Sequence, residues 1–265
     1  MAYKNQHYIP RVYLKNFQNP EIGKLVVYDK KKKETSYCPI KDIFAKEDYF
    51  TLHGTEETLR YYGKKVDNKY NNKHCMEYKL HLMESEVGCI LKKLKKVKNL
   101  DLISQEEVEI IIDWAARIFV ITTFINNKII LKLLSCKRIG VLIDHYDQIL
   151  PFFRNRTWTL ELIERQETLF SSDRPIILCD DKSLSKKAGL NNGIIYFSLS
   201  PKILLRGTPN KKSRPLIYKN PLILLNEIIF QVNCQTYIKS DNLIIIQEKK
   251  DIKEFLNLFL KPSEK

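Results

Sequence analysis

A long helix in the middle of the chain, apolar on more than one side over much of its length, constrains the fold most. Ser104 and Glu107 form a capping-box pattern, which predicts that the helix begins near Gln105. The helix should run past Trp114 to about Asn126, with an inner face formed by Val108, Ile111, Ile112, Ala115, Phe119 and Thr122. Because much of this segment is apolar on more than one side, we expect it to lie at the centre of the fold.

The chain on either side of this helix suggests three parts. Residues 1–75 indicate short strands and loops, residues 76–150 are helical, and residues 151–265 mix strands and helices. Each part would be small and would leave sheet edges exposed if it folded alone. We therefore predict one α+β domain over residues 1–265, with short N-terminal strands, a helical middle layer and a mixed C-terminal part.

The predicted elements outside the central helix follow from hydrophobic periodicity and turn residues. At the N-terminus we expect a hairpin, Leu25–Asp29 with Ser36–Pro39, whose tip holds four lysines, and then a loop, Phe44–Leu52, with buried aromatic residues. Further helices are predicted over 80–94, 139–150, 222–234 and 251–260, the third of them capped by Asn220 and Pro221. Strands are predicted over 158–163, 176–179, 194–199 and 243–247.

The charge of the chain favours polyanionic partners. The 45 lysines and arginines exceed the 31 acidic residues, which gives a net charge of +14. Such a surplus suits nucleic acid or another polyanion, although a general lysine-rich composition would explain it equally well. The six cysteines contain no Cys-x-x-Cys pair, and we find no signal peptide and no apolar run of the ~20 residues that span a bilayer. These features predict reduced thiols and a cytoplasmic location.

Several short blocks, taken in order, resemble one protein family. The chain opens with His7-Tyr8-Ile9-Pro10, continued by Tyr13-Leu14 and Phe17, and Val27-Tyr28-Asp29 and Asp48-Tyr49-Phe50-Thr51-Leu52 follow. A glutamate-bearing helix around Glu84 and Glu86, Arg117 in the long helix, Ser172-Asp173-Arg174-Pro175, Phe197-Ser198-Leu199-Ser200-Pro201 and Leu225-Asn226 complete the series. The order of these blocks is similar to that of the family catalogued as domain of unknown function 4238.

This resemblance spans nearly the whole chain but implies no catalytic residues, since the family has no established activity. It implies a setting in bacterial mobile elements and phage defence. The chain departs from the pattern at Ser198, where a proline is usual, and at Ile118-Phe119, where members tend to have Thr-Pro. The second departure puts a helix break after Arg117 in doubt.

The N-terminal block supplies the first candidate site residues. His7 could act as a general acid or base, and Gln6 beside it could orient a phosphate or a base. Arg11 and Lys15, four residues apart on one helical face, could bind phosphate. Alternatively, His7 only donates a hydrogen bond to a buried carbonyl group.

Arg117 is the second candidate, because it stands on the most apolar helix. A charge there is costly unless it is paired or lines a cavity, and the planar guanidinium group suits phosphate or carboxylate. Alternatively, Arg117 pairs internally with Glu84 or Asp113.

The C-terminal half adds a polar turn and a basic loop. Asp173 could bind a metal, act as a base or hold His7 or Arg117, with Ser172 beside it, although turn formation alone explains the Ser-Asp-x-Pro sequence. The segment from Arg206 to Arg214, which includes Lys211 and Lys212, is predicted to be a flexible loop that contacts a polyanion.

These residues lead to three hypotheses of function. The first is a defence-type effector that cleaves nucleic acid, with His7 as acid or base, Arg117 stabilising phosphate charge and Asp173 orienting His7 or holding a metal. The second is a non-catalytic module that binds nucleic acid or a phosphorylated ligand, and the third is a basic subunit that docks an acidic partner. Phosphate-loop, dinucleotide-binding, serine-hydrolase and zinc-protease motifs are absent, so the sequence identifies no cofactor and does not decide whether the protein is an enzyme.

Overall fold

The computed structural model of the protein describes most of the chain. The described residues are 5–51, 53, 55–57, 60–61, 75–96, 100–125, 127, 135–164, 166–179, 189–210, 216–220 and 226–260. Every structural statement below concerns these residues.

The N-terminal part is built from short strands around one turn of helix. It contains β1 (Asn5–His7), α1 (Arg11–Leu14), β2 (Leu25–Asp29), β3 (Glu34–Cys38) and β4 (Ala45–Glu47). The predicted hairpin is confirmed, since β2 pairs with β3 in antiparallel fashion and Lys30–Lys33 form its tip.

The segment predicted as a loop over 44–52 contains a strand instead. This strand, β4, pairs with β1, and His7 lies opposite Ala45. The pairing partner comes from the N-terminal block, so the sequence of residues 44–52 alone does not predict the strand. The expected burial of its aromatic residues is confirmed, because Phe44, Tyr49 and Phe50 are almost fully covered.

Three helices form the middle layer: α2 (Cys75–Lys96), α3 (Gln105–Phe124) and α4 (Ser135–Arg154). The predicted capping box at the start of α3 is confirmed. The backbone N–H of Glu107 donates to Ser104 Oγ over 3.1 Å, and the backbone N–H of Ser104 donates to Glu107 Oε2 over 2.8 Å. The helix continues through Arg117 without a break, and ten of its residues are buried, as a central helix requires.

A five-stranded sheet covers the middle layer. Its strands are β5 (Arg156–Leu162), β7 (Ile176–Cys179), β8 (Ile194–Ser200), β9 (Ile203–Pro209) and β10 (Leu216–Asn220). Their order is β10-β5-β9-β8-β7, antiparallel except for the parallel pair of β10 and β5. One face packs Trp158 and Phe197 into the main core with Trp114 of α3, and the other packs under Ile229 and Val232 of α5 (Asn226–Lys239).

A second sheet of four strands closes the structure. It joins the N-terminal hairpin to β11 (Leu243–Ile246) and the short β6 (Ser171–Ser172), in the order β3-β2-β11-β6. The last helix, α6 (Lys249–Phe259), packs Phe255 against one face of this sheet. The α+β architecture predicted from the sequence is confirmed, and one core cluster contains residues of both sheets and of the helical layer.

Two predicted elements differ near the C-terminus. Arg206 and the three residues after it belong to β9 and not to a flexible loop. Asn220 ends β10, a strand that the sequence did not predict, and the described part of the following helix begins at Asn226. The predicted helix start over 221–225 lies outside the described residues. None of the helices in the described part of the chain is long and apolar enough to cross a membrane.

Candidate functional site

The three helices of the middle layer enclose a cleft on one side. The space inside it is small, about 60 Å³, and reaches about 460 Å³ only when the open solvent at its mouth is counted. Its walls are largely aliphatic, and its polar residues are Lys79 of α2, Arg117 of α3, and Tyr146 and Asp147 of α4. The aliphatic residues are Met76, Val120, Ile121, Leu142 and Ile143. A largely apolar concave surface with a few polar groups is the usual form of a small-ligand site.

Arg117 is the central charge of this cleft. Its guanidinium group lies over the ring of Tyr146, with 4.1 Å between the guanidinium carbon and the ring centroid. Burial raises the pKa of the Tyr146 hydroxyl, and the positive charge of Arg117 opposes that rise. The stacking fixes the plane of the guanidinium group, so Arg117 is held ready for a planar or anionic partner.

The internal ion pair considered for Arg117 does not form with Asp113. The Asp113 carboxylate accepts two hydrogen bonds from Arg154, over 2.9 Å from Nε and 2.5 Å from a terminal nitrogen. Arg117 makes no ion pair with any residue in the described part of the chain, and its buried Nε has no hydrogen-bond partner there. A charge in this position is costly unless a bound group completes its contacts.

His7 and Gln6 are tied into the N-terminal strands. His7 Nε2 donates to the carbonyl group of Ile40 over 2.9 Å, as the alternative interpretation expected. Burial lowers the pKa of His7, and Arg11 lowers it further, against the opposing effect of this hydrogen bond. Gln6 is 3 % exposed, and its Nε2 donates to Thr51 Oγ1 over 2.8 Å and to Glu77 Oε2 over 3.0 Å.

The positive charge of Arg11 acts on two titratable groups, His7 and the carboxyl group of Glu84 in α2. Arg11 is exposed on α1, which packs along α2, and its charge acts on both His7 and Glu84. Burial raises the pKa of Glu84 to about 7, with Arg11 opposing and Glu77 adding to the rise. Lys15 is also exposed on its side chain, while its carbonyl group accepts a hydrogen bond from Lys95 over 3.0 Å.

Asp173 and Ser172 organise a turn. The Asp173 carboxylate is 7 % exposed and accepts hydrogen bonds from three successive backbone N–H groups, those of Asp241, Asn242 and Leu243, over 2.7–2.9 Å. Burial raises the pKa of Asp173, and these three hydrogen bonds oppose the rise. Ser172 Oγ accepts from the backbone N–H of Arg174 over 3.0 Å.

The N-terminal block and the C-terminal blocks meet in the core. The Tyr13 hydroxyl lies 2.6 Å from Ser171 Oγ and donates to the carbonyl group of Ser198 over 2.8 Å. Asn16 Nδ2 donates to the carbonyl group of Leu199 over 3.1 Å. The N-terminal block therefore packs directly against the C-terminal segments around Ser171 and Ser198, although up to 185 residues separate them.

A comparison with protein families identifies the N-terminal part of the chain. Residues 5–120 match the family model described as "Protein of unknown function (DUF4238)". The resemblance predicted from the sequence is confirmed over these residues, and its extension into the C-terminal half stays a prediction. No curated protein and no solved structure matches the chain. The DUF4238 match covers the N-terminal block, α2 and most of α3, and therefore includes Met76, Lys79 and Arg117 of the cleft.

The remaining basic residues predicted for binding lie outside the matched DUF4238 region. Arg206 in β9 contacts the buried carboxylate of Glu161 in β5, with 2.6 Å between Arg206 and Glu161 Oε1. The prediction that Arg206 lies in a flexible loop is therefore wrong, and its contact with a polyanion stays a prediction. Lys211, Lys212 and Arg214 lie outside the described residues.

The structure gives His7, Arg117 and Asp173 different partners. His7 contacts Ile40, Arg117 contacts Tyr146, and Asp173 contacts the turn over 241–243, so their joint catalytic role stays a prediction. The described residues contain no group of three or more His, Cys, Asp or Glu side chains that could hold a metal ion.

The sequence interpretation did not single out Lys79, Tyr146 or Asp147. A signal was present, because Tyr146 and Asp147 follow Leu142 and Ile143 by one helical turn and so share a face of α4 with them.

Proposed function

We propose that the protein is a binding module for a small phosphorylated ligand, which it holds in the cleft between α2, α3 and α4. The observation that carries the proposal is Arg117, a cation among apolar neighbours on α3 that lines the cleft without an ionic partner among the described residues. A phosphate group would satisfy its guanidinium group through two parallel hydrogen bonds. Lys79, on the facing helix, adds a second positive charge to the same cleft.

The aliphatic walls strengthen this interpretation. An arginine that served only solubility would stand in water, whereas Arg117 is half-buried and stacked on an aromatic ring. Electrostatic attraction is stronger beside apolar walls than in bulk water, so one or two cations there can hold a phosphate group. The net charge of +14 would add a general attraction for anions.

Calorimetric titration with ribose 5-phosphate tests the proposal. We expect Arg117→Gln to weaken binding by about tenfold or more, because a charge-assisted hydrogen bond contributes roughly 1.5–3 kcal/mol. Lys137→Gln is the matched control, since it removes one exposed positive charge from α4 outside the cleft. Equal binding by the wild type and Arg117→Gln would contradict the proposal.

Nucleic-acid cleavage by a defence-type effector is a second candidate function. It is favoured by the contact of α1 with α2, where the charge of Arg11 acts on both His7 and Glu84. A neutral histidine and a carboxyl group with a pKa of about 7 are suited to proton transfer near neutral pH. Arg11 beside them could contact a phosphate group.

Incubation of the purified protein with RNA and with DNA, in Mg²⁺ and in Mn²⁺, tests this second candidate. We expect wild type to cleave one of them and His7→Ala or Glu84→Gln to cleave it at least 100-fold more slowly, the usual contribution of a general acid or base. Intact RNA and DNA under all conditions would contradict cleavage and leave the binding module.

A further inference from the structure

The contact between α1 and α2 brings basic residues from two parts of the chain onto one surface. Val12 of α1 lies beside Gly88 of α2, where an added Cβ atom would meet Val12 at 3.5 Å. At the C-terminal end of α2, Lys95 Nζ donates to the carbonyl group of Lys15 over 3.0 Å. Lys15 is therefore held against the last turn of α2.

Five exposed cations share this surface. On α1, the backbone N–H of Lys15 donates to the carbonyl group of Arg11 over 3.0 Å, so the two residues are one helical turn apart. On α2, three lysines follow Gly88 by one to two turns, which keeps them on or next to the side that faces α1. The five cations, here called the basic ridge, are Arg11, Lys15, Lys92, Lys95 and Lys96. None of them makes an ion pair with a residue that the structure describes.

Carboxylates do not balance the charge of the basic ridge. Lys93, in the same run of lysines, pairs with Glu107 over 2.8 Å and is not part of the ridge. Glu84, at the Arg11 end, is half-buried, and burial raises its pKa to about 7. After Glu84, α2 contains one more carboxylate, that of Glu86, which lies on the side of the helix away from α1. The ridge therefore keeps a local surplus of positive charge.

The residues around the ridge indicate which kind of polyanion it fits. None of the large hydrophobic side chains that are exposed in the described chain belongs to α1 or to residues 84–96. The centre of a protein interface is rich in aromatic and other apolar residues, and a helix that binds a membrane surface buries an apolar face. Single-stranded nucleic acid stacks its bases on aromatic side chains. The phosphate backbone of a duplex, in contrast, requires only cations.

We propose that the basic ridge binds the phosphate backbone of double-stranded nucleic acid. Arg11 and Lys15, which the sequence predicts to bind phosphate, gain three further cations from α2 in this way. The ridge is separate from the cleft, because Lys79 of the cleft and Lys92 of the ridge are about 20 Å apart along α2. The inference therefore goes beyond the proposed function, and it requires neither a ligand in the cleft nor cleavage of the nucleic acid.

Fluorescence anisotropy with a labelled DNA duplex of about 20 base pairs, in EDTA and at roughly 50–200 mM salt, tests the inference. We expect the logarithm of the wild-type affinity to fall with the logarithm of the salt concentration with a slope of about −3 to −5, since each neutralised phosphate contributes about 0.9. Lys15→Gln/Lys92→Gln should bind about tenfold more weakly at low salt and make the slope shallower by about 2.

The matched control is Lys31→Gln/Lys32→Gln, which removes two exposed positive charges from the hairpin tip and leaves the same net charge as the ridge variant. We expect the control to bind the duplex within about twofold of wild type, because uniform loss of charge is weaker than loss of a phosphate contact. Thermal melting of each variant shows whether it folds. If the ridge variant does not, Lys92→Gln/Lys96→Gln, confined to exposed positions of α2, replaces it.

Three results would overturn the inference. The first is no binding of the duplex by wild type at the lowest salt, and the second is an equal loss of affinity in the hairpin-tip and ridge variants. The third is binding of single-stranded DNA or of polyglutamate as tight as that of the duplex, which would point to a single strand or to an acidic protein as the partner. None of these results depends on whether ribose 5-phosphate binds in the cleft.

Discussion

At the scale of single residues, the protonation of Glu84 makes the stability of the folded protein depend on pH. Its pKa is about 7 in the folded protein, against an ordinary value of 4.5, because burial disfavours the charged form. The folded state therefore holds this proton more tightly than the unfolded state does. The stabilising contribution of the protonated group is complete below about pH 4.5 and is lost as the pH rises through 7.

Glu84→Gln should remove this pH dependence, since glutamine is neutral at every pH. We expect the variant to exceed wild type in free energy of unfolding by roughly 1–3 kcal/mol at pH 8 and to equal it at pH 4. Urea denaturation at the two pH values measures the difference. Glu86→Gln, which changes an exposed glutamate on the same helix, is the control. A constant difference between Glu84→Gln and wild type at both pH values would show that the carboxyl group is not buried as described.

At the scale of elements, the close approach of β5 and β9 depends on Gly207. Gly207 lies opposite Trp158, and a Cβ atom at Gly207 would lie 2.7 Å from the Trp158 ring. Trp158 is fully buried and cannot move without disturbing the main core. Gly207→Ala should therefore destabilise the protein by about 1–3 kcal/mol through overpacking.

Gly88 provides the comparison, because it lies inside α2 with ordinary space around it. A Cβ atom at Gly88 would meet Val12 at 3.5 Å, which is a normal van der Waals contact. Since alanine favours a helix over glycine by up to about 1 kcal/mol, Gly88→Ala should leave stability unchanged or raise it. The two urea midpoints measure both effects, and equal midpoints would contradict the close packing of Gly207.

Elements defined by local signals could be predicted from the sequence, and long-range partners could not. Ser104 and Glu107 predicted the start of α3, and the continuous apolar run Ile176–Cys179 predicted β7. In contrast, Arg206 gave no local sign of its contact with Glu161, which lies 45 residues earlier in the chain. The acceptor role of Asp173 for the turn over 241–243 depends likewise on a sheet that joins distant segments.

In the candidate site, too, residues with a local signal could be predicted and long-range contacts could not. Arg117 was predicted because a charge on an apolar helix is detectable without knowledge of the fold. Its stacking on Tyr146 was not predicted. This contact joins two helices, and it depends on how those helices pack against each other, which the sequence does not specify. The polar N-terminal residues were predicted as site residues only because many of them stand close together in the sequence. In the structure, Gln6 instead joins β1 to α2 through its hydrogen bond to Glu77.

At the scale of the whole molecule, the helical layer packs against the sheets, and under our proposal it also binds the ligand. The competing location for an anion is the exposed lysine tip of the hairpin, Lys31–Lys33, which any basic protein of this composition could use. The two locations lie on different elements, so a residue-resolved measurement separates them.

Backbone amide chemical shifts, recorded by nuclear magnetic resonance during titration with ribose 5-phosphate, test this claim most directly. We expect saturable shifts at Arg117, Val120 and residues 142–147, and none of comparable size at Lys31–Lys33. Shifts confined to the hairpin tip, or no shifts that saturate, would contradict the assignment of the cleft as the ligand site.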